Sequence, residues 1–249
     1  MSALVDYTLH LADTNLVLGQ RIAEWCGHSF ILEQDIAKSN IALDLIGQSR
    51  SLYQYAAQLV GEGKTEDDLA FLRSDREYKN LLIVEQPNGD FASTLARQFY
   101  FDAFHVLQCE KLLASHDETL RAIAEKAVKE ARYHHTWSAE WVIRLGDGTA
   151  ESHRRIQLAL EDLWMWTGEF FMPASYETEL VSRGIAVNLA ELKLPWEAKI
   201  REVLQEATLA MPVGEALQRG GKTGAHTEYL GHLLAEMQVL PRTYPGATW

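Results

Sequence analysis

The sequence has few residues that interrupt helices. Of its six prolines, only Pro87 lies within the first 172 residues. A proline in a helix interior removes a backbone hydrogen bond and clashes with the preceding turn, so this shortage leaves room for long helices. Strand-like alternation of apolar and polar residues is also lacking. These two absences predict an all-α fold.

Other shortages exclude classes of function. The two cysteines, Cys26 and Cys109, form neither a disulfide framework nor a thiolate metal motif. A net charge of −12 argues against nucleic-acid binding. No apolar run approaches the roughly 18 residues that span a bilayer, and the acidic first thirty residues do not resemble a secretory signal. We therefore expect a cytoplasmic protein without nucleic-acid or membrane partners.

The residues that are present indicate a large helical core. With 249 residues and 47% hydrophobic content, the chain has enough apolar side chains for one sizeable domain. Apolar periodicity predicts helices at about 7–25, 32–59, 91–113, 118–145 and 151–171, and shorter ones near 196–209 and 226–240. We expect one ferritin-like helical domain over 1–249. Its core bundle would cover about 7–171, and a C-terminal helical extension about 174–249.

Polar residues interrupt the apolar faces of two predicted helices. Gln98, Asp102 and His105 lie along one face of the third helix, and Glu130 and His134 along one face of the fourth. Buried carboxylates are costly unless they are paired, protonated or metal-bound. Di-iron bundles take a Glu from each of two helices and a Glu-x-x-His motif from each of the other two.

This chain falls short of that ligand set. Tyr133 stands where the histidine three residues after Glu130 is expected, and the second helix offers Leu45 and Gln48 instead of Glu and His. Asp13 is a possible carboxylate on the first helix. We therefore favour a structural polar network over a metal site and expect neither bound metal nor catalytic residues. The residues assigned to this vestigial network are Asp13, Leu45, Gln48, Asp102, His105, Glu130 and His134.

Two further patterns have plainer interpretations. Ala216–Thr223 matches a permissive phosphate-loop pattern, but no predicted strand precedes it, so a glycine-rich turn is favoured. Glu228, His232 and Glu236 are spaced four apart on the last helix. A solvated or interface stripe is the commoner meaning of that spacing, and we favour it over a metal face.

Four segments together resemble one family. They are Gly19–Arg50, Asn80–Asp90 (NLLIVEQPNGD), Lys129–His134 (KEARYH) and Gly220–Gln238. They closely resemble the C subunits of the multicomponent 1,2-phenylacetyl-CoA epoxidases, also called phenylacetyl-CoA monooxygenases, and the likeness runs from about Tyr7 to Trp249. The resemblance implies a non-catalytic, ferritin-like scaffold. It would pair with a catalytic di-iron partner, the A subunit, in an A2C2 heterotetramer.

The resemblance also implies cofactors and partners in other chains. An iron–sulfur flavin reductase and a small bridging subunit would complete a complex that uses NADPH and oxygen to epoxidise the ring of phenylacetyl-CoA during aerobic phenylacetate breakdown. Phenylacetyl-CoA would bind near the interface, in contact with Glu77, Tyr78, Lys79 and Asn80, and more weakly with Thr178, Glu179 and Leu180. Arg73, Arg76 and Lys79 form a basic cluster suited to CoA phosphates, although an ordinary solvated loop is an equally good interpretation.

Two alternatives stay open. The chain could be a di-iron oxidase in its own right, using Asp13, Asp102, Glu130 and His134 with water molecules. It could instead be a helical acyl-CoA-binding module without an oxygenase partner. Iron content and co-purification with the catalytic di-iron partner distinguish the three hypotheses.

Overall fold

The all-α, ferritin-like prediction is confirmed by the computed structural model, which describes residues 2–247. The predicted C-terminal extension reaches 249, so its last two residues lie outside the described part. Residues 2–247 form helices, turns and loops without a strand. The helices are α1 (Ala3–Ala23), α2 (Leu32–Val60), α3 (Glu66–Phe71), α4 (Phe91–Leu112), α5 (Glu118–Gly146), α6 (Ala150–Trp164), α7 (Ser175–Ser182), α8 (Ala190–Glu206) and α9 (Glu228–Thr243). Short 3-10 helices lie at Asp75–Glu77, Leu82–Glu85, Thr167–Phe171 and Gly221–Thr223.

Several helix boundaries differ from the prediction: α1 begins at Ala3 instead of about 7, and α8 begins at Ala190 instead of about 196. The fifth predicted helix was expected to reach 171, but α6 ends at Trp164 and the chain continues as a 3-10 helix over Thr167–Phe171. Within this segment, a side chain on Gly168 would place its Cβ 1.9 Å from the carbonyl oxygen of Ala216. The loop that contains Ala216 passes so close to residue 168 that only glycine fits there.

In the described part of the chain, no helix is both long and apolar enough to cross a membrane.

The described chain divides into two compact units. The first unit contains residues 2–85 and 220–247, and the second contains Gln86–Arg219. The expectation of one domain over 1–249 stays a prediction.

The first unit is built on an antiparallel pair of helices, α1 and α2. Asn15 contacts Gln48, and Gly19 lies against Ala42, so one helix ascends as the other descends. Every residue of α1 from Tyr7 to Gly19 is buried, which marks a central helix rather than an amphipathic surface helix. Its polar side chains consequently need partners inside the protein.

The second unit is built on a second antiparallel pair, α4 and α5, in which Ser138 bonds to Asp102 and Arg132 to Glu110. α4 is buried from Thr94 to Val106. Aromatic packing fixes other segments onto it: Phe104 stacks on Phe170 with ring centroids 4.6 Å apart, and Trp196 Nε1 donates to the carbonyl of Tyr100 at 3.0 Å. The polar side chains of α4 therefore lie in a rigid interior.

The glycine-rich segment forms a turn in the first unit. Gly221–Thr223 is a single 3-10 turn, flanked by Gly220 and Gly224 at positive φ. A Cβ on Gly221 would fall 2.1 Å from the carbonyl oxygen of Asn80. The glycines therefore allow this turn to pack directly on the backbone around Asn80, which is a structural role rather than phosphate binding.

Gly221→Ala tests this close backbone approach. We expect the substitution to lower the free energy of unfolding by at least about 2 kcal/mol, because backbone must move to admit the methyl group. Gly231→Ala is the matched control: Gly231 lies in α9 with nothing within 4 Å of an added Cβ, so alanine there is neutral or stabilising. Urea unfolding measures both, and equal effects would contradict the packing described.

Candidate functional site

Asp13, the predicted carboxylate of the first helix, is completely buried and fully hydrogen-bonded. Arg73 forms a two-pronged ion pair with it, with Nη1 3.1 Å from Oδ2 and Nη2 against Oδ1. Tyr53 donates its hydroxyl to Oδ1 at 2.5 Å, and the backbone N–H of Lys79 donates to Oδ2 at 2.8 Å. A carboxylate offers about four acceptor positions, and these four donors fill them. All acceptor positions of Asp13 are therefore occupied by donors from within the protein.

Arg73 corrects one expectation from the sequence. It was grouped with Arg76 and Lys79 as a surface cluster for CoA phosphates, but its side chain is only 8% exposed. Besides Asp13, it donates to the carbonyl of Glu77 at 2.9 Å and packs over the ring of Tyr78. A buried carboxylate needs a nearby cation, and Arg73 supplies that charge inside the first unit.

Leu45 and Gln48 occupy the positions on α2 where Glu and His ligands were expected. Leu45 is fully buried and contributes only hydrocarbon to the core. Gln48 accepts a hydrogen bond from Asn15 Nδ2 at 3.3 Å, across the α1–α2 pair. At these two positions, α2 therefore contributes apolar packing and a hydrogen bond between neutral amides.

Asp102 is the centre of the polar cluster in the second unit. It is 1% exposed and accepts hydrogen bonds from Gln98 Nε2 at 2.7 Å and Ser138 Oγ at 2.8 Å. Burial raises the pKa of Asp102 to about 7, and this outweighs the positive charge of His134 and the two hydrogen bonds, which act in the opposite direction. Near neutral pH this carboxyl group is therefore partly protonated.

The structure brings His105 and His134 to the same cluster. Burial, together with the charge of His134, lowers the pKa of His105 to about 3, so its ring is neutral. Its Nδ1 has no hydrogen-bond partner among residues 2–247. Glu130, one turn before His134 on α5, is half-buried, and its charge helps burial to raise the pKa of the Cys109 thiol. Glu130 therefore lies near Cys109, and its contact with Asp102 stays a prediction.

The donor chemistry does not fit two iron ions. No set of three His, Cys, Asp or Glu side chains in the described residues is arranged to hold a metal ion. The predicted stripe on the last helix is a surface feature, since Glu228, His232 and Glu236 are all exposed on α9. Among the described residues, α2 buries no carboxylate that could balance the charge of two irons, and the buried carboxylate of α1, Asp13, is already paired with Arg73.

The residues expected to contact CoA are placed unevenly. In the first unit, Glu77 is exposed and Lys79 half-buried, whereas Tyr78 and Asn80 are completely buried. In the second unit, Thr178 and Glu179 are exposed on α7, and Leu180 belongs to the core. Tyr78, Asn80 and Leu180 are therefore core residues that cannot contact a ligand at the surface. The side chains that reach solvent are those of Glu77, Lys79, Thr178 and Glu179.

Sequence reasoning missed a second buried network in the first unit, centred on Glu85. This carboxylate is fully buried, and its Oε1 accepts from His226 Nδ1 at 2.5 Å and from Asn80 Nδ2 at 2.8 Å. Its Oε2 accepts from the backbone N–H of Thr227 at 2.8 Å and from its hydroxyl at 2.6 Å. Glu85 thus ties the segment before Pro87 to the start of α9.

Each ring nitrogen of His226 faces an acceptor oxygen, an arrangement that favours the doubly protonated ring. Its Nδ1 faces the Glu85 carboxylate, and its Nε2 donates to the carbonyl of Tyr78 at 2.8 Å. Burial alone would lower the pKa of His226, but the hydrogen bond and charge of Glu85 raise it above its ordinary value. Both residues lie in the family-like segments Asn80–Asp90 and Gly220–Gln238, although nothing in either segment alone indicates the pairing.

Comparison with known proteins gives a full-length match. The family model described as phenylacetic acid catabolic protein matches residues 1–249. The C subunit of the 1,2-phenylacetyl-CoA epoxidase from Escherichia coli (strain K12) is 50% identical over 249 residues, which is 100% of both chains. The similarity therefore includes every segment that builds the Asp13, Asp102 and Glu85 networks.

Asp13→Asn tests the buried ion pair. We expect a loss of about 3–5 kcal/mol in the free energy of unfolding, because Arg73 keeps its charge in the interior without a carboxylate. Asp6→Asn is the control, since the Asp6–Lys79 pair is partly exposed with 3.4 Å between its charged atoms and contributes at most about 1 kcal/mol. Urea unfolding at pH 7 measures both, and similar losses would show that burial of the pair is unimportant.

Asp102 makes stability depend on pH. Its pKa of about 7 in the folded chain lies above the value of about 3.9 in an unfolded chain. The unfolded state ionises first as pH rises, so this group's contribution to stability is full below about pH 4 and falls towards pH 7. Asp102→Asn removes the titration: its Oδ1 can still accept from Gln98 Nε2, and its Nδ2 would donate to Ser138 Oγ in place of the bond that Oδ2 accepts. We expect its free energy of unfolding to vary less than that of the wild type between pH 4 and pH 7.

The control for this titration is Asp162→Asn, because Asp162 is exposed on α6. Urea unfolding at several pH values compares the three proteins. The control should follow the wild-type profile. If Asp102→Asn also followed it, the buried carboxyl would not be the titrating group.

Proposed function

Because this chain belongs to the phenylacetic acid catabolic protein family, we propose that it is the non-catalytic structural subunit of a multicomponent phenylacetyl-CoA epoxidase. It would act in the cytoplasm, in aerobic phenylacetate breakdown, as the partner of a catalytic di-iron subunit. The relative from Escherichia coli is itself named as a subunit of such an enzyme. An A2C2 heterotetramer, with two catalytic chains and two copies of this chain, is the assembly we propose.

The buried ion pair between Asp13 and Arg73 is the main observation that supports this proposal. A di-iron centre would need that carboxylate, but four protein donors already occupy its oxygens. Leu45 and Gln48 offer neither charge nor imidazole at the next expected positions. Oxygen activation would therefore take place in another chain, and this chain's interior serves to keep its helices in place.

The remaining cofactors would belong to the other subunits. Electrons from NADPH would pass through the flavin and iron–sulfur cluster of the reductase to the catalytic subunit, and a small bridging subunit would complete the complex. In this arrangement, the residues of this chain bind and orient. They neither transfer electrons nor form bonds with oxygen.

A contribution to phenylacetyl-CoA binding forms part of the proposal. Arg76 is exposed and Lys79 half-buried in the first unit, and both can face anionic phosphates now that Arg73 is assigned to the interior. Glu77 lies between them, and Thr178 and Glu179 are the exposed candidates of the second unit. The buried residues Tyr78, Asn80 and Leu180 would hold the backbone of these surface segments in place through their packing in the core.

Iron content and assembly test the proposed function. We expect aerobically purified chain to hold well under one iron and to lack epoxidase activity alone. With the catalytic subunit it should form a complex of A2C2 mass by light scattering. Adding it to the catalytic subunit plus the reductase should permit epoxidation. The control is the isolated catalytic subunit, which should hold iron.

Two results would contradict this proposal. About two irons per chain with oxidase activity would favour an independent di-iron enzyme, despite the pairing of Asp13 with Arg73. Binding of phenylacetyl-CoA by the chain alone, without any complex with the catalytic subunit, would favour an acyl-CoA-binding module.

A further inference from the structure

The outer surface of the first unit has an unusual concentration of apolar side chains. Five large hydrophobic residues that are exposed lie between positions 30 and 43, namely Phe30, Ile31, Leu32, Ile36 and Leu43. Leu32 and Leu43 are 69% and 65% exposed. Single exposed hydrophobic residues are common on soluble proteins, but a contiguous group marks an interaction surface.

Most of this group lies on one face of α2. The exposed positions Leu32, Ile36, Asn40, Leu43 and Gly47 follow one another at steps of four or three residues, so they share the solvent side of the helix. We call these five residues the α2 stripe. It runs for about 22 Å without a charged side chain. A surface helix normally presents charged or polar residues to water, so this stripe has the composition of a face that another helix covers.

Gly47 adds an independent observation. Glycine destabilises the interior of a helix relative to alanine, and Gly47 lies in the interior of α2, far from both of its ends. A Cβ added to it would meet nothing within 4 Å among the described residues, so packing within the chain does not require glycine there. Close approach of a second backbone is the common reason to keep glycine in such a place.

The charges around the stripe indicate the kind of partner. Glu33 and Asp35 flank the first half of the stripe, while Arg50 beyond its end is bonded to Glu66 at 3.4 Å. The chain as a whole carries a net charge of −12. A second copy would bring like charge to an acidic rim, which disfavours self-association. A different helical chain with a basic rim fits better.

We propose that the α2 stripe is the docking face for a helix of the catalytic di-iron subunit. Apolar side chains of that helix cover Leu32, Ile36 and Leu43, its basic residues face Glu33, and its backbone passes closest at Gly47. This inference rests on the proposed function, since it assigns a surface to the proposed pairing. It adds which helix of this chain forms the contact and why that helix contains a glycine.

Charge-introducing variants test the apolar part of the stripe. Ile36→Asp and Leu43→Asp replace exposed side chains, so the isolated chain should keep its melting temperature within about 2 °C. Leu194→Asp is the matched control, because Leu194 is 76% exposed on α8 and lies outside the stripe. Binding to the immobilised, purified catalytic subunit should weaken at least tenfold for each stripe variant and less than twofold for the control.

Gly47→Gln tests the close approach. Glutamine favours helices more than glycine and its side chain extends into open space, so the melting temperature of the isolated chain should stay the same or rise by about 2 °C. Its bulk should nevertheless weaken binding to the catalytic subunit by at least tenfold. A variant that stabilises the chain while weakening the complex separates an interface role from a folding role.

The remaining outcomes separate the docking face from the proposed function. If wild type and all stripe variants bind the catalytic subunit equally, the docking face is wrong and the pairing stands. If the wild type does not bind the catalytic subunit, the proposed function itself fails. If the wild-type chain alone is a dimer by light scattering and Ile36→Asp makes it a monomer, a second copy covers the stripe and the inference is overturned.

Discussion

The first unit depends on one buried ion pair, between Asp13 and Arg73. Asp13 sits in the middle of a helix that is buried on all sides, and Arg73 comes from an irregular segment sixty residues away in the chain. Neither charge could remain in this interior without the other, because each would otherwise lose its hydration without compensation. The pair therefore fixes where the segment that follows α3 must lie, and with it the backbone N–H of Lys79 that completes the shell of donors.

The two units solve the same physical problem in different ways. A carboxylate in a helical interior needs a cation, a proton or several hydrogen bonds. Asp13 is paired with a guanidinium group, whereas Asp102 keeps a pKa near 7 and relies on Gln98 and Ser138. Glu85 is satisfied by hydrogen bonds with His226, Asn80 and Thr227.

Local signals in the sequence predicted the long helices well and the buried networks only in part. α2, α4 and α5 begin where their apolar periodicity begins and end within one residue of the prediction, because turns and helix caps mark their ends. The grouping of Asp102, His105 and His134 followed from the same periodicity. Arg73 and His226 could not be assigned in this way, since they lie in loops and meet Asp13 and Glu85 across 60 and 141 residues. For such pairs, tertiary structure alone supplies the contact.

The two faces of α2 show how a chain can lack metal ligands and still have a specific role. On the inner face, Leu45 and Gln48 pack and hydrogen-bond like residues of any helical core, and the stability of the chain accounts for them. On the outer face, Leu43 and Gly47 do nothing for that stability: one exposes hydrocarbon to water, and the other weakens the helix. Features that folding does not require are better explained by a partner. The outer face of α2 is therefore a better guide to what this chain does than the positions from which metal ligands are missing.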